Sequence, residues 1–179
     1  MRFSELLADL SLRGLSPKRL TPASLDPEVT EITQDSREVP RGSLFVAVSG
    51  MRIDGHEFIR TAAEAGAAAT PSGMGTSRST SSAAQFKDGR VALAYTAASL
   101  QGNPSEEMTV IGITGTDGKS TTSVLAVEAL LACGVPAGGM TSLDFRVLDR
   151  IEQNDSYMTT LESPVIQARL RELVDAGVK

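Results

Sequence analysis

Gly115, Thr116, Asp117, Gly118, Lys119, Ser120 and Thr121 form the segment whose residue types and spacing could act on a nucleotide triphosphate. Glycines at 115 and 118 let the backbone curl around an anion, with positive φ where the curl needs it. The N–H groups of such a loop point inward, and the positive end of a following helix faces the phosphates. Lys119 supplies a point charge for the outer phosphates, which makes it the candidate catalytic cation. The Ser120 hydroxyl is the candidate ligand for Mg2+, a cation that takes oxygen ligands and keeps several waters. The general phosphate-loop pattern asks for a glycine five residues before Gly118, where this chain has Ile113; Gly112 lies one residue too early. A glycine turn carrying a solvent-exposed lysine is the plain alternative.

Such a loop needs a strand to deliver it and a helix to receive the phosphates. Residues 108–113 are β-rich, and 120–131 have helical character with Val124, Leu125, Val127, Leu130 and Leu131 as the apolar set. Strand, glycine loop and helix in that order open a doubly wound α/β domain. Further on, Ser163-Pro164 predicts a helix start with Ser163 as N-cap, followed by Val165, Ile166, Leu170, Leu173 and Val174 and closed by Gly177.

Upstream, Phe3, Leu6, Leu7 and Leu10 fall at i, i+3, i+4 and i+7, which predicts an amphipathic opening helix. Residues 44–48 read as a buried strand, and 56–65 as a helix that stops at Gly66. The Ser-, Thr- and Gly-rich stretch 70–82 reads as a mobile surface loop. A short apolar helix over 91–100 is broken by Gly102-Asn103-Pro104, which sets the expected domain boundary: 1–103 and 104–179.

Bulk properties prune the function classes. With 41% hydrophobic and 22% charged residues the composition is that of a globular chain, not a disordered one. A net charge of −5 gives no basic footprint for nucleic acid, so none is expected as a partner. No apolar run approaches the about 18 residues of a membrane span. The opening residues carry Glu5 and Asp9 inside their apolar stretch, unlike a secretory signal. The single Cys133 cannot form an internal disulfide, and the single His56 rules out a cage of several histidines. The expectation is a cytoplasmic protein, monomeric by default, with no membrane association.

The stretch from Gly112 to Thr122, Gly-Ile-Thr-Gly-Thr-Asp-Gly-Lys-Ser-Thr-Thr, resembles the phosphate loop of the Mur ligase family. Three further blocks resemble another part of the same family: Asp35-Ser36-Arg37; Gly42-Ser43-Leu44-Phe45-Val46-Ala47; and Gly50 with Asp54-Gly55-His56-Glu57-Phe58-Ile59. These are similar to the family's N-terminal domain, which binds the uridine end of a UDP-linked precursor. Met158-Thr159-Thr160-Leu161-Glu162-Ser163 is similar to its substrate-contacting Thr-Thr-Pro segment. The resemblance implies an α/β fold: a small uridine-binding domain, then the first part of a phosphate-loop, doubly wound ATP-binding domain.

Within the family the blocks resemble the branch that adds the third amino acid, diaminopimelate or lysine, to UDP-N-acetylmuramoyl-L-alanyl-D-glutamate. ATP phosphorylates a substrate carboxylate there, and the amine of the incoming amino acid attacks the acyl phosphate. The resemblance implies that residues 115–121 hold ATP and that Ser36 contacts the uridine part, with Met51, Arg52 and Ile53 lining the same pocket. Thr159 and Thr160 would bind the muramoyl-dipeptide. His56 is expected to be structural, and Asp35 and Arg37 to fix a local turn through an ion pair.

Leu161 stands where the family usually has proline, Ser120 replaces threonine, and the polar stretch 70–82 replaces a hydrophobic strand, which suggests an incomplete N-terminal sheet. The family's later magnesium-binding glutamate, carbamylated lysine and C-terminal domain are not among these 179 residues. The expectation is therefore a front portion that does not ligate by itself and has poor solubility. Another Mur-type ligase, such as the dipeptide-adding enzyme that shares the Asp-Ser-Arg and Asp-Gly-His blocks, stays open, as do two other classes. One is a non-catalytic module that kept the nucleotide and uridine pockets. The other is an unrelated phosphate-loop kinase or ATPase, which would leave the Asp35-Ser36-Arg37 block unexplained.

Overall fold

The computed structural model describes residues 1–17, 19–21, 26–48, 55–67, 69–71, 82–156, 158 and 160–179. The chain divides into two compact units, Met1–Leu100 and Gln101–Lys179.

The first unit is built on a five-stranded sheet of β1 (Arg19–Thr21), β2 (Glu31–Thr33), β3 (Ser43–Phe45), β4 (Ala69–Pro71) and β5 (Ser82–Gln85). The strand order is β1-β5-β4-β3-β2, with β1 antiparallel to β5 and all other pairs parallel. Helices α1 (Phe3–Leu12), α2 (Ile59–Ala65) and α3 (Gly89–Leu100) accompany it.

The apolar run 44–47 explains the layering. Successive side chains of an extended segment point to opposite faces, so a strand covered on both sides is apolar throughout. Leu44 and Val46 join Phe3, Leu6 and Leu10 of α1 and Leu93 of α3 in one buried cluster. Phe45 and Ala47 join Ile59 and Ala62 of α2 and Ala67 in the other. Each fully buried Leu or Phe stabilises the fold by roughly 1.5–3 kcal/mol. The strand itself is shorter than the apolar run, although the Val46 amide still donates to the Thr33 carbonyl at 2.9 Å.

Most expected elements of this unit are present. Helix α1 buries Phe3, Leu6 and Leu10. The 56–65 helix begins as a 3-10 turn over Gly55–Phe58 and ends at Gly66, which takes φ 109°. The polar stretch needs correction: Thr70, Pro71 and Ser82 lie in paired parallel strands, so the sheet is more complete than the composition suggests. Ladder bonds use backbone groups, which a Ser- and Thr-rich sequence supplies as well as an apolar one. Residues 72–81 lie outside the described residues.

The second unit holds α4 (Lys119–Ala132), β6 (Gly138–Met140), β7 (Asp144–Val147), β8 (Arg150–Gln153) and α5 (Ser163–Asp175). The three strands form an antiparallel meander that the sequence reading missed. Leu170 and Leu173 of α5 and Val178 pack with Met108, Met140, Val147, Leu148 and Ile166.

Three expectations fail here. Residues 108–113 form no strand, because a strand exists only with a hydrogen-bonded neighbour and no described residue pairs with them. Val110 and Ile111 are accordingly 54% and 71% exposed. On α4 only Val127 is buried, while Leu125 is 63% exposed. Apolar residues at 124, 125, 127, 130 and 131 surround more than one helical face, and β6 covers only one. On α5 the N-cap is Glu162 in extended conformation, so Ser163 and Pro164 are already helical. Among the described residues no helix is long and apolar enough to cross a membrane.

Candidate phosphate-binding loop and its surroundings

Residues 114–118 are exposed and lead directly into α4. Gly118 immediately precedes the helix with φ 76°, a left-handed conformation that costs an L side chain roughly 1–2 kcal/mol. A side chain at Gly112 or Gly118 would meet nothing within 4 Å, so the mouth of the loop is open. The first backbone bond of α4 runs from the Thr122 amide to the Gly118 carbonyl at 2.9 Å. The amides that precede it belong to the set a helix start leaves without intrahelical acceptors, and they carry its partial positive charge.

Lys119 curls back over this mouth. Its Nζ donates to the carbonyl oxygens of Gly115 at 2.7 Å and Thr116 at 3.0 Å. The Ser120 hydroxyl lies 3.1 Å from the hydroxyl of Ser142, and the Ser123 hydroxyl donates to the Lys119 carbonyl. The sequence-predicted residues 115–121 therefore form one continuous segment at the start of α4.

Beyond Ser142 a polar bracket continues. The Thr141 hydroxyl donates to the Asp144 carboxylate at 2.7 Å and accepts from the amides of Leu143 and Asp144. Asn154, only 5% exposed, donates from Nδ2 to the Thr141 carbonyl at 2.8 Å. Its Oδ1 accepts from the amide and hydroxyl of Ser156. Sequence reasoning passed over Thr141, Ser142 and Asn154. The Asn-Asp-Ser run at 154–156 is a turn signature that could have drawn attention to them.

Thr160 is exposed, two residues before the N-cap of α5. Thr159 lies outside the described residues, as do Met51, Arg52 and Ile53. Ser36 belongs to the first unit, half-buried in a turn. Around it Arg37 grips Asp35: its amide donates to Oδ1 at 2.9 Å and its Nε at 2.8 Å, with Nη2 on Oδ2. The Arg37 hydrogen bonds hold the Asp35 carboxyl down at about 2. The expected turn-fixing pair is present.

Among the described residues no group of three or more His, Cys, Asp or Glu is arranged to hold a metal. The half-buried Ser120 hydroxyl is a single oxygen of the kind Mg2+ could take, since this ion keeps waters and few protein ligands.

A family profile for the Mur ligase family, catalytic domain, matches residues 28–126, more than half of the chain. The chain belongs to the Mur ligase family. This membership sets aside the unrelated kinase or ATPase. The chain is 41% identical to a UDP-N-acetylmuramyl-tripeptide synthetase of Roseiflexus sp. (strain RS-1), over 99% of this chain and 34% of that protein. It is 39% identical to the protein of the same name from Deinococcus radiodurans, over 100% of this chain and 36% of the relative. A solved UDP-N-acetylmuramoyl-L-alanyl-D-glutamate--2,6-diaminopimelate ligase superposes with a TM-score of 0.62 at 19% identity, covering 99% of this chain and 34% of that one. MurF from Acinetobacter baumannii gives 0.56, also at 19%, over 95% and 32%. These likenesses show a Mur ligase α/β fold. The Mur ligase chain spans about a third of the length of the curated relatives it matches.

Proposed function

We propose that this chain carries the uridine-binding and first ATP-binding parts of the ligase that adds the third amino acid to UDP-N-acetylmuramoyl-L-alanyl-D-glutamate in the cytoplasm. The observation that carries the reading is an open loop with Gly118 at φ 76°, Lys119 over its mouth and the α4 N-terminus behind it. The whole chain is about 40% identical to proteins named tripeptide synthetases, which supports this branch of the family.

In this reading residues 1–103 take the uridine end and 104–179 begin the ATP-binding domain. Gly115, Thr116, Asp117, Gly118, Lys119, Ser120 and Thr121 hold ATP. Ser36, with Met51, Arg52 and Ile53, contacts the uridine part. Thr159 and Thr160 donate hydrogen bonds to the muramoyl-dipeptide. Ser120 would ligate Mg2+, which when bound neutralises phosphate charge. The chain's own contribution is positioning and charge. Lys119 and the α4 amides would meet the phosphate oxygens as the terminal phosphoryl group of ATP passes to the substrate carboxylate and ADP leaves; the amine of diaminopimelate or lysine then attacks the acyl phosphate, forming the amide and releasing phosphate. Relatives named 2,6-diaminopimelate ligases, such as that of Bacillus licheniformis at 37% identity over 86% of this chain, fit that amino acid.

Calorimetric titration of the chain with MgATP and separately with UDP-N-acetylmuramoyl-L-alanyl-D-glutamate tests the reading. Saturable binding of both ligands, with UDP competing only against the second, is expected. Absence of precursor binding, or precursor binding indifferent to UDP, would sink it.

A further inference from the structure

Asn154 is a buried amide whose donor and acceptor reach two different segments. Its Nδ2 donates to the Thr141 carbonyl at 2.8 Å. Its Oδ1 accepts from the Ser156 amide at 3.1 Å and the Ser156 hydroxyl at 2.6 Å, and its own amide donates to the Leu143 carbonyl at 2.9 Å. The Ser156 hydroxyl in turn accepts from the Met158 amide at 3.3 Å. On the other side Ser142, next to Thr141 in the chain, touches the Ser120 hydroxyl at 3.1 Å.

A continuous path therefore runs from the first turn of α4 to Met158, two residues before Thr160. A planar amide supplies a donor and an acceptor from one rigid group, which neither a carboxylate nor a hydroxyl at this length reproduces. The two links together tie Asn154, Ser156 and Met158 to the segment that carries Ser142, beside the phosphate loop.

We infer that Asn154 is the positioning residue that holds the Thr160 segment in register with the phosphate loop, so that the muramoyl-dipeptide carboxylate meets the nucleotide. This rests on the proposed assignment of Thr159 and Thr160 to the precursor and of Ser120 to the nucleotide. The residue touches neither ligand. Its effect passes through Ser156 on one side and Thr141 on the other.

The test compares Asn154→Ala with the unsubstituted chain by calorimetry, using MgATP and UDP-N-acetylmuramoyl-L-alanyl-D-glutamate as probes and circular dichroism to confirm folding. The Kd for the precursor is expected to rise about tenfold, with the Kd for MgATP changed by less than about twofold. A purely structural role predicts parallel weakening of both ligands through loss of folded protein, and that result would overturn the inference. So would an unchanged precursor affinity in a folded variant. If Asn154→Ala does not fold, Ser156→Ala removes only the hydroxyl link. It is expected to weaken the precursor alone by a smaller factor, and an unaltered precursor affinity there overturns the inference as well. Failure of the unsubstituted chain to bind the precursor sinks the function reading and this inference together. Normal binding without the split between ligands sinks this inference alone.

Discussion

The Lys119 ammonium lies 2.7 Å from the Gly115 carbonyl oxygen, folded across the loop from which it springs. That contact places the charge at the mouth where phosphate oxygens would arrive, and a phosphate is a stronger acceptor than a neutral carbonyl. Lys119→Ala is therefore expected to weaken MgATP binding by about 10- to 100-fold, the range for losing charge-assisted bonds of roughly 1.5–3 kcal/mol. Precursor affinity should stay within about twofold. Equal MgATP affinities in variant and parent would remove Lys119 from the site.

The Asp35–Arg37 pair gives a prediction in pH. The carboxyl of Asp35 sits at about 2 against an ordinary 3.8, because Arg37 hydrogen bonds to its charged form. A depressed folded-state value means the pair contributes to stability above pH 3.8, and that contribution is lost as the pH falls through about 2. Carboxyl NMR titration is expected to give an Asp35 midpoint near 2, returning toward 3.8 in Arg37→Ala. A parent midpoint already at 3.8 would mean that the pair is not formed in solution.

Leu44 and Leu12 offer a contrast in burial. Leu44 is 1% exposed at the centre of the first unit's core, whereas Leu12 is 88% exposed at the end of α1. Leu44→Ala should cost about 2–5 kcal/mol in urea unfolding, through lost transfer energy and the cavity left behind. Leu12→Ala should stay within about 0.5 kcal/mol. Similar midpoints for the two variants would contradict the buried position of β3.

Much of this was legible because it is local. The loop is a matter of two close glycines, a lysine and a hydroxyl, so its candidate chemistry can be proposed from residues 115–121 alone. Helix α1 and the stop at Gly66 follow from period and backbone freedom in the same way. Pairing is not local. Residues 108–113 have strand composition yet lack a described partner, while the glycines of β6 and the charges of β8 conceal a meander that does pair. The bracket of Asn154 spans 13 residues to Thr141, and no period or spacing encodes it.

Gly138 in β6 lets α5 settle onto the meander. A Cβ there would stand 2.2 Å from Leu173 Cδ2 and 2.5 Å from the Arg146 carbonyl oxygen. The leucine is 5% exposed and the oxygen belongs to the neighbouring strand, so neither can withdraw without disturbing the cluster around Leu170 and Leu173. Overpacking of this kind costs about 1–3 kcal/mol and can cost more where backbone must move. Gly112→Ala is the matched control, because a methyl group there meets nothing within 4 Å. In thermal unfolding followed at the second unit, Gly138→Ala should lower the Tm by at least several degrees, while Gly112→Ala leaves it nearly unchanged. Equal midpoints would mean that α5 does not lie against β6 at Gly138.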